Sequence, residues 1–339
     1  MRRKLLIALA ILLVVGVTAG SLIYEKTRLR EASVTSVAMG SPVTIRLFGK
    51  GKTADDALSG AMTAVETLDG VLSRTIAGSE VSVVNANRGG TLGADAVKAL
   101  DLGRELYEKT NGKFDLTMGG VTGLWDFDAT DFTLPDERTL RMAADAVGMD
   151  RLEIRGDQII LAPGQSLDFG ALGKGFACDK ICEYLASTDV RGAILDVGGT
   201  VGVWGVGSGK AVCKVGVRAP AADTNGLLGE IECAGGDFIS TSGTYEKYAI
   251  LDGVRYHHIL DPATGRPAQT DLVSATVVAK SGLLADGLST SCILLGAKDA
   301  PALLEAYGAG GVLVGTDGSV KVVGLEESRV RLYHNEDGT

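Results

Sequence analysis

Histidine is scarce in this chain, with three in 339 residues, and cysteine is little commoner at five. None of the cysteines (Cys178, Cys182, Cys213, Cys233, Cys292) forms the C-x-x-C pair that thiolate metal sites and dithiol redox centres use. Each lies in an apolar stretch, where a free thiol behaves as a small hydrophobe. Net positive charge is also missing. The formal charge is −9, which argues against nucleic acid or anionic lipid as the main partner, so an anionic ligand needs a local cation or a metal. No internal repeat, low-complexity tract or long linker divides the sequence.

What is plentiful is glycine, 47 residues, roughly twice ordinary usage. The glycines fall singly or in pairs between apolar segments, as turns and close backbone approaches do. The N-terminus is distinct. Met1-Arg2-Arg3-Lys4 is basic and Leu5 to Tyr24 carries no charge, the pattern of an export signal or an uncleaved membrane anchor. Val17-Thr18-Ala19 offers a small-residue cleavage site, and no cysteine follows for lipid attachment. The sequence thus divides into an N-terminal signal or anchor over residues 1–30 and one compact unit over 31–339, expected to work outside the cytoplasm.

Within that unit, alternation predicts strands at Ser33–Ala38 and Val43–Phe48, and helical spacing predicts helices at Ala54–Leu72, Ala94–Lys109 and Asp136–Val147. Hairpins are expected over Arg151–Leu161, Tyr248–Leu260 and Val312–Val323, the last two turning at Asp252-Gly253 and Asp317-Gly318. Short strands at Ala193–Val197, Val212–Arg218, Gly229–Cys233 and Leu272–Ala279, and helices at Leu283–Leu295 and Ala300–Tyr307, complete the pattern. Hairpins mixed with helices, without regular strand–helix alternation, predict an α+β fold of mixed or antiparallel sheets with packed helices.

Four segments carry chemistry. "LDFGALGKGFACDK" (Leu167–Lys180) is a glycine-rich turn entering a helix that holds Lys174, an arrangement suited to an anion or to tight helix packing. It is no Walker loop, which needs glycine at Asp168 and Ser or Thr at Gly175. "ADGLSTS" (Ala285–Ser291) sets Asp286 and Thr290 four apart on one helix face. The pair could serve a Mg²⁺ ion, or Asp286 could be a carboxylate bonded inside the core. "STSGTYEKY" (Ser240–Tyr248) is hydroxyl-rich and begins where a strand is expected to end. "YHHILDPATGRP" (Tyr256–Pro267) places His257 and His258 side by side on a strand, so their rings point to opposite faces and cannot chelate one ion together. Pro262 and Thr264-Gly265 lock the backbone behind them.

In this order, these segments resemble the ApbE family, the FAD:protein FMN transferases. The resemblance also runs through Met39-Gly40, "SEVSVVN" (Ser79–Asn85), "NGKFDLTMGGVTGLWDF" (Asn111–Phe127) and "LDVGGT" (Leu195–Thr200), covering roughly residues 36 to 296. It implies an α+β, T-fold-like unit and a Mg²⁺-dependent transfer of the FMN half of FAD to a Ser or Thr of an exported or membrane partner, with release of AMP. The implied acceptor is an electron-transfer flavoprotein subunit. Hydrolysis of FAD, or non-catalytic flavin binding, are the alternatives. Position by position, the resemblance implies Asp286, Thr290 and the carbonyl of Ala171 as metal ligands, and Lys174 and Asp168 as nucleotide contacts. Met39, Lys113, Phe114, Asp115 and Ile259 would line the FAD pocket. His258 would be the catalytic imidazole, with His257 second and Lys174 assisting. The chain departs from the family pattern at Thr75, where an aromatic residue usually lies against the flavin, and at Asp196, where Asn is usual.

Overall fold

In a computed structural model, the structure describes residues 28–205, 212–220 and 226–333, with five isolated positions between 15 and 24. Most of the expected N-terminal segment lies outside the described residues. Among those described, no helix is long and apolar enough to cross a membrane.

The chain opens as an antiparallel hairpin, β1 (Leu29–Ala38) and β2 (Ser41–Lys50). Its two-residue turn, Met39-Gly40, has positive φ at both positions, the primed geometry that suits strand twist. Helix α1 (Thr53–Leu72) follows, then α2 (Glu80–Asn87), β3 (Gly89–Thr91), α3 (Ala94–Lys109), the single turn α4 (Gly119–Thr122) and α5 (Glu137–Ala146). A small hairpin, β4 (Glu153–Arg155) and β5 (Gln158–Ile160), precedes α6 (Gly173–Leu185). Next come β6 (Gly192–Val197), β7 (Thr200–Gly205), β8 (Val212–Arg218), β9 (Leu227–Ala234) and β10 (Asp237–Gly243). The hairpin β11 (Tyr248–Leu251) and β12 (Val254–His257) turns at Asp252-Gly253, as its sequence predicts. Strand β13 (Leu272–Ala279), α7 (Gly282–Leu295), α8 (Ala300–Ala306), β14 (Gly310–Gly315), β15 (Val320–Val323) and β16 (Val330–Leu332) complete the order. The α+β expectation holds, and every named strand pairing is antiparallel.

Eight strands form the central sheet, in the order β1-β2-β6-β7-β10-β13-β14-β15. Its strands β13 and β14 are buried on both faces because both are covered. Val277 and Leu313 point to the main core with the helices, whereas their neighbours Val278 and Val312 meet Val217 and Ile231 of the β16-β9-β8 sheet on the other side. Helices α1, α6 and α7 lie side by side on the first face, with α7 over β10 and β13.

Helices α6 and α7 touch backbone to backbone. A Cβ at Gly175 would stand 1.9 Å from the Gly282 carbonyl oxygen, and one at Gly282 would stand 2.2 Å from that of Gly175. Gly175→Ala is therefore expected to cost stability at the upper end of the about 1–3 kcal/mol typical of overpacking, because the obstruction is backbone. Thermal unfolding of the variant checks this.

The five cysteines are free. Burial pushes the Cys182, Cys233 and Cys292 thiols up to about 12, which leaves them unreactive packing groups.

Candidate active site

The glycine contact between α6 and α7 builds the site. Once the helices are that close, the amide of Gly175 reaches Asp286 Oδ2 at 3.0 Å, and Lys174 Nζ lies 3.4 Å from Asp286 Oδ1. Ser240 Oγ donates to the same Oδ1 at 2.9 Å, and Thr200 Oγ1 pairs with Ser240 Oγ at 2.9 Å. Asp286 is only 1% exposed, so its charge is tolerated because three partners share it.

One turn further along α7, Thr290 Oγ1 lies 3.1 Å from Ser242 Oγ, which also pairs with Ser289. The match follows from geometry: four residues of helix rise about 6 Å, close to the ~6.8 Å of two residues in a strand. Asp286 and Thr290 therefore meet Ser240 and Ser242 in step. Those serines correct the expectation that the strand ends where "STSG" begins, because β10 runs through Gly243. Alternation along a strand is the pattern that points to Ser240 and Ser242 together.

Lys174 reaches the site over the Gly198-Gly199 turn of "LDVGGT". A Cβ on Gly198, where φ is +53°, would press on Ser41 and on Lys174 Cδ at 3.0 Å. Met39 lies at the same corner, its Cε 2.9 Å from where a Gly173 Cβ would be, and its amide donates to Asp69 Oδ2 at 2.9 Å. Ala171 stands in the turn just ahead of α6. The structure thus gathers Met39, Ala171, Lys174, Asp286 and Thr290 around one helix start.

Asp168 occupies a neighbouring node. Its Oδ2 accepts from Thr122 Oγ1 at 2.6 Å and pairs with Arg74 Nε at 2.9 Å, while Oδ1 accepts from the Gly170 amide at 2.8 Å. Arg74 was not singled out by sequence, and it occupies the place beside Thr75. Thr75 itself is exposed and bonds only to Ser73 within its own loop. Asn85 of "SEVSVVN" clamps this node by a two-way bond with the Leu167 backbone, at 2.9 and 2.6 Å.

Four other residues expected at the pocket have the following surroundings. Phe114 and Ile259 are packed into the main core, at 2% and 5% exposure. The Asp115 carboxylate is spent on the Thr117 amide and hydroxyl and on the Met149 amide, so it braces the loop. Burial raises its carboxyl above the usual range despite those bonds. Lys113 is exposed.

Strand β12 ends at His257, so His258 stands in the bend just beyond it and not on the return strand that the sequence predicts for both. His258 Nδ1 lies 3.0 Å from the Lys247 carbonyl oxygen, whose amide partner is the His258 backbone at 3.1 Å. A carbonyl can only accept, so Nδ1 carries the proton and Nε2 presents a lone pair. Burial holds the His258 imidazole down at about 4, the Lys247 carbonyl opposing and the Lys174 charge adding. The Lys174 charge thus acts on His258, while His257 lines a pocket with Thr244, Gln269 and Thr316. Behind the pair, Asp261 closes a tight turn by accepting from the Thr264, Gly265 and Ala263 amides, and Trp125 Nε1 donates to the Gly265 carbonyl at 2.8 Å.

A depressed histidine has a stability consequence. The unfolded imidazole binds a proton below about 6.5, the folded one only below about 4. Between those values the unfolded state holds more protons, so stability falls as the pH falls. His258→Asn should therefore flatten the decline between pH 7 and pH 5, by at most about 2 kcal/mol given its partial exposure. Denaturant unfolding of both proteins at the two pH values checks it.

Glu246, also missed by sequence, lies near the same charges. Its Oε1 lies 3.8 Å from where a Gly199 Cβ would be, and burial raises its carboxyl to about 7, with Lys174 and Arg218 opposing.

Among the described residues, no three His, Cys, Asp or Glu side chains cluster as a metal cage. The donors present are one carboxylate, a hydroxyl and a nearby carbonyl, all hard oxygens. That set fits a Mg²⁺ ion that takes its remaining ligands from substrate phosphates and water.

Comparison with known proteins agrees with this arrangement. A sequence profile described as the ApbE family matches residues 39–314. A protein of Treponema pallidum named FAD:protein FMN transferase is 30% identical over 306 residues, covering 83% of each chain. A Vibrio cholerae protein of the same name is 33% identical over 58% of this chain and 60% of its own. Among solved structures, the flavin transferase ApbE from Vibrio cholerae superposes with a TM-score of 0.77 at 25% identity, over 87% of this chain and 97% of that one. The apo flavinyl transferase ApbE of Pseudomonas stutzeri gives 0.74 at 27% identity, over 87% and 95%. A profile that spans most of the chain, together with the shared fold, establishes that this protein belongs to the ApbE family.

Proposed function

We propose that the protein transfers the FMN half of FAD to a Ser or Thr hydroxyl of a partner protein and releases AMP, with Mg²⁺ as cofactor. The observation that carries this reading is the meeting of Lys174 Nζ and the Gly175 amide at the start of α6 on the Asp286 carboxylate, with Thr290 one turn along the same helix. Relatives named for FAD:protein FMN transfer support the substrate and the protein acceptor.

Asp286 and Thr290, with the carbonyl of Ala171, would hold the ion. Mg²⁺ supplies neutralisation of the pyrophosphate charge. Lys174 stabilises negative charge on the transferring phosphoryl group from a site already held by Asp286. The Asp168 node orients the nucleotide through the loop that Asn85 clamps. Through Nε2, His258 takes the proton of the acceptor hydroxyl. The basic, uncharged stretch at residues 1–24 supports placing this chemistry outside the cytoplasm, anchored to the membrane or exported, on an acceptor such as an electron-transfer flavoprotein subunit.

Incubation with FAD, Mg²⁺ and a candidate acceptor tests the reading. Flavin fluorescence on the acceptor in a denaturing gel is the expected result. Free FMN and AMP without labelled acceptor would make the protein an FAD hydrolase instead.

A further inference from the structure

The second core, between the central sheet and the β16-β9-β8 sheet, holds two cysteines. Cys213 of β8 stands directly opposite Cys233 of β9, in register with Val215 opposite Ile231 and Val217 opposite Gly229. Strand alternation puts all of these on one face. That face is the inner one, because Val217, Ile231 and Cys233 are buried in this core and Cys213 and Val215 pack against it. Opposite residues of an antiparallel pair have Cα atoms about 4.5–5.5 Å apart, inside the roughly 4.4–6.8 Å that a disulfide spans. Cys178, Cys182 and Cys292 lie across the central sheet, in the main core or packed on it, so Cys213 and Cys233 have each other as neighbours and no third thiol.

We propose that Cys213 and Cys233 form a disulfide as the exported chain folds, fastening β8 to β9 just ahead of β10, the strand of Ser240 and Ser242. The inference rests on the export reading of residues 1–24 for its oxidising surroundings, and on the register for the choice of partners. The oxidant is another disulfide. The Cys213 thiolate attacks it and releases one of its sulfurs, and Cys233 then displaces the other. Two thiols of the chain give up two protons and two electrons to form one S–S bond, and the oxidant departs as two thiols. Burial sets the timing. In the unfolded chain a thiol titrates at about 8.5, whereas in the folded chain burial raises both, the Asp237 charge adding, and Cys233 reaches about 12. Exchange in the folded chain is therefore slow, so a bond made during folding persists and a chain folded with reduced thiols stays reduced.

The test refolds the full chain from denaturant in oxidised glutathione or in a thiol reductant, alkylates the remaining thiols and reads the digest by mass spectrometry. The expected result in glutathione is one joined pair, Cys213 with Cys233, and alkyl groups on Cys178, Cys182 and Cys292. The oxidised protein should unfold about 5–10 °C above the reduced one. Cys213→Val and Cys213→Ala should each abolish that difference. Five alkylated cysteines, a different joined pair, or a difference that survives in both variants overturns the proposal. A chain that pairs in glutathione but carries five free thiols when expressed whole and alkylated at once contradicts the export reading and not the register on which the pairing rests.

Discussion

Alanine in place of Asp286 is expected to remove Mg²⁺ binding, FAD retention and transfer together. The carboxylate is the meeting point of Ser240 Oγ, the Gly175 amide and Lys174 Nζ, and all three lose their partner at once. Each stranded buried donor costs about 1–3 kcal/mol, so the alanine variant will also be less stable. Asp286→Asn separates the two effects. It keeps the side-chain volume and an oxygen for Ser240, and it removes only the charge. The asparagine variant should unfold close to the parent temperature yet fail to hold Mg²⁺ in the presence of FAD. Calorimetric titration decides the matter: an undiminished Mg²⁺ affinity in Asp286→Asn would take Asp286 out of the metal site.

His258→Ala is expected to slow transfer by about 10²–10⁴ while FAD affinity stays nearly unchanged. The size follows from the role. The imidazole contributes a proton acceptor and little binding surface, and its ring is aimed by the Lys247 carbonyl. In the free protein its basic form persists down to about pH 4. The negative charge of a bound pyrophosphate raises that value toward the working range, which makes the ring a better base when substrate is present. Single-turnover transfer to an acceptor, measured beside FAD binding, is the check. A rate equal to that of the parent would remove His258 from the chemistry.

Much of the architecture was legible because local signals agreed with the global fold. The Asp-Gly turns of the β11–β12 and β14–β15 hairpins, the helical spacing of α1 and α3, and the buried helix at Leu283–Leu295 all stand where the residues place them. Helix α2 had weaker marks. Its segment "EVSVVNAN" is rich in β-branched residues, yet Ser79 caps it by accepting from the Ser82 amide, and Val81 and Val84 reach the core from one face. Asp115 and Phe114 belong to a segment that carries the family resemblance, but burial and local hydrogen bonds give them structural work. A motif records which residues stay together and does not say which of them face a ligand.

By itself the sequence determined the family, through motifs in a fixed order, and the class of fold and the i, i+4 oxygens of α7, through backbone periodicity. Tertiary structure alone decided that Lys174 meets Asp286, that Ser240 and Ser242 complete the Asp286–Thr290 pair, and that Arg74 joins Asp168. Those contacts join residues far apart in the chain, through the backbone touch of Gly175 on Gly282 and the register of β10 under α7. Such distances are set by how the pieces pack, which no local pattern records.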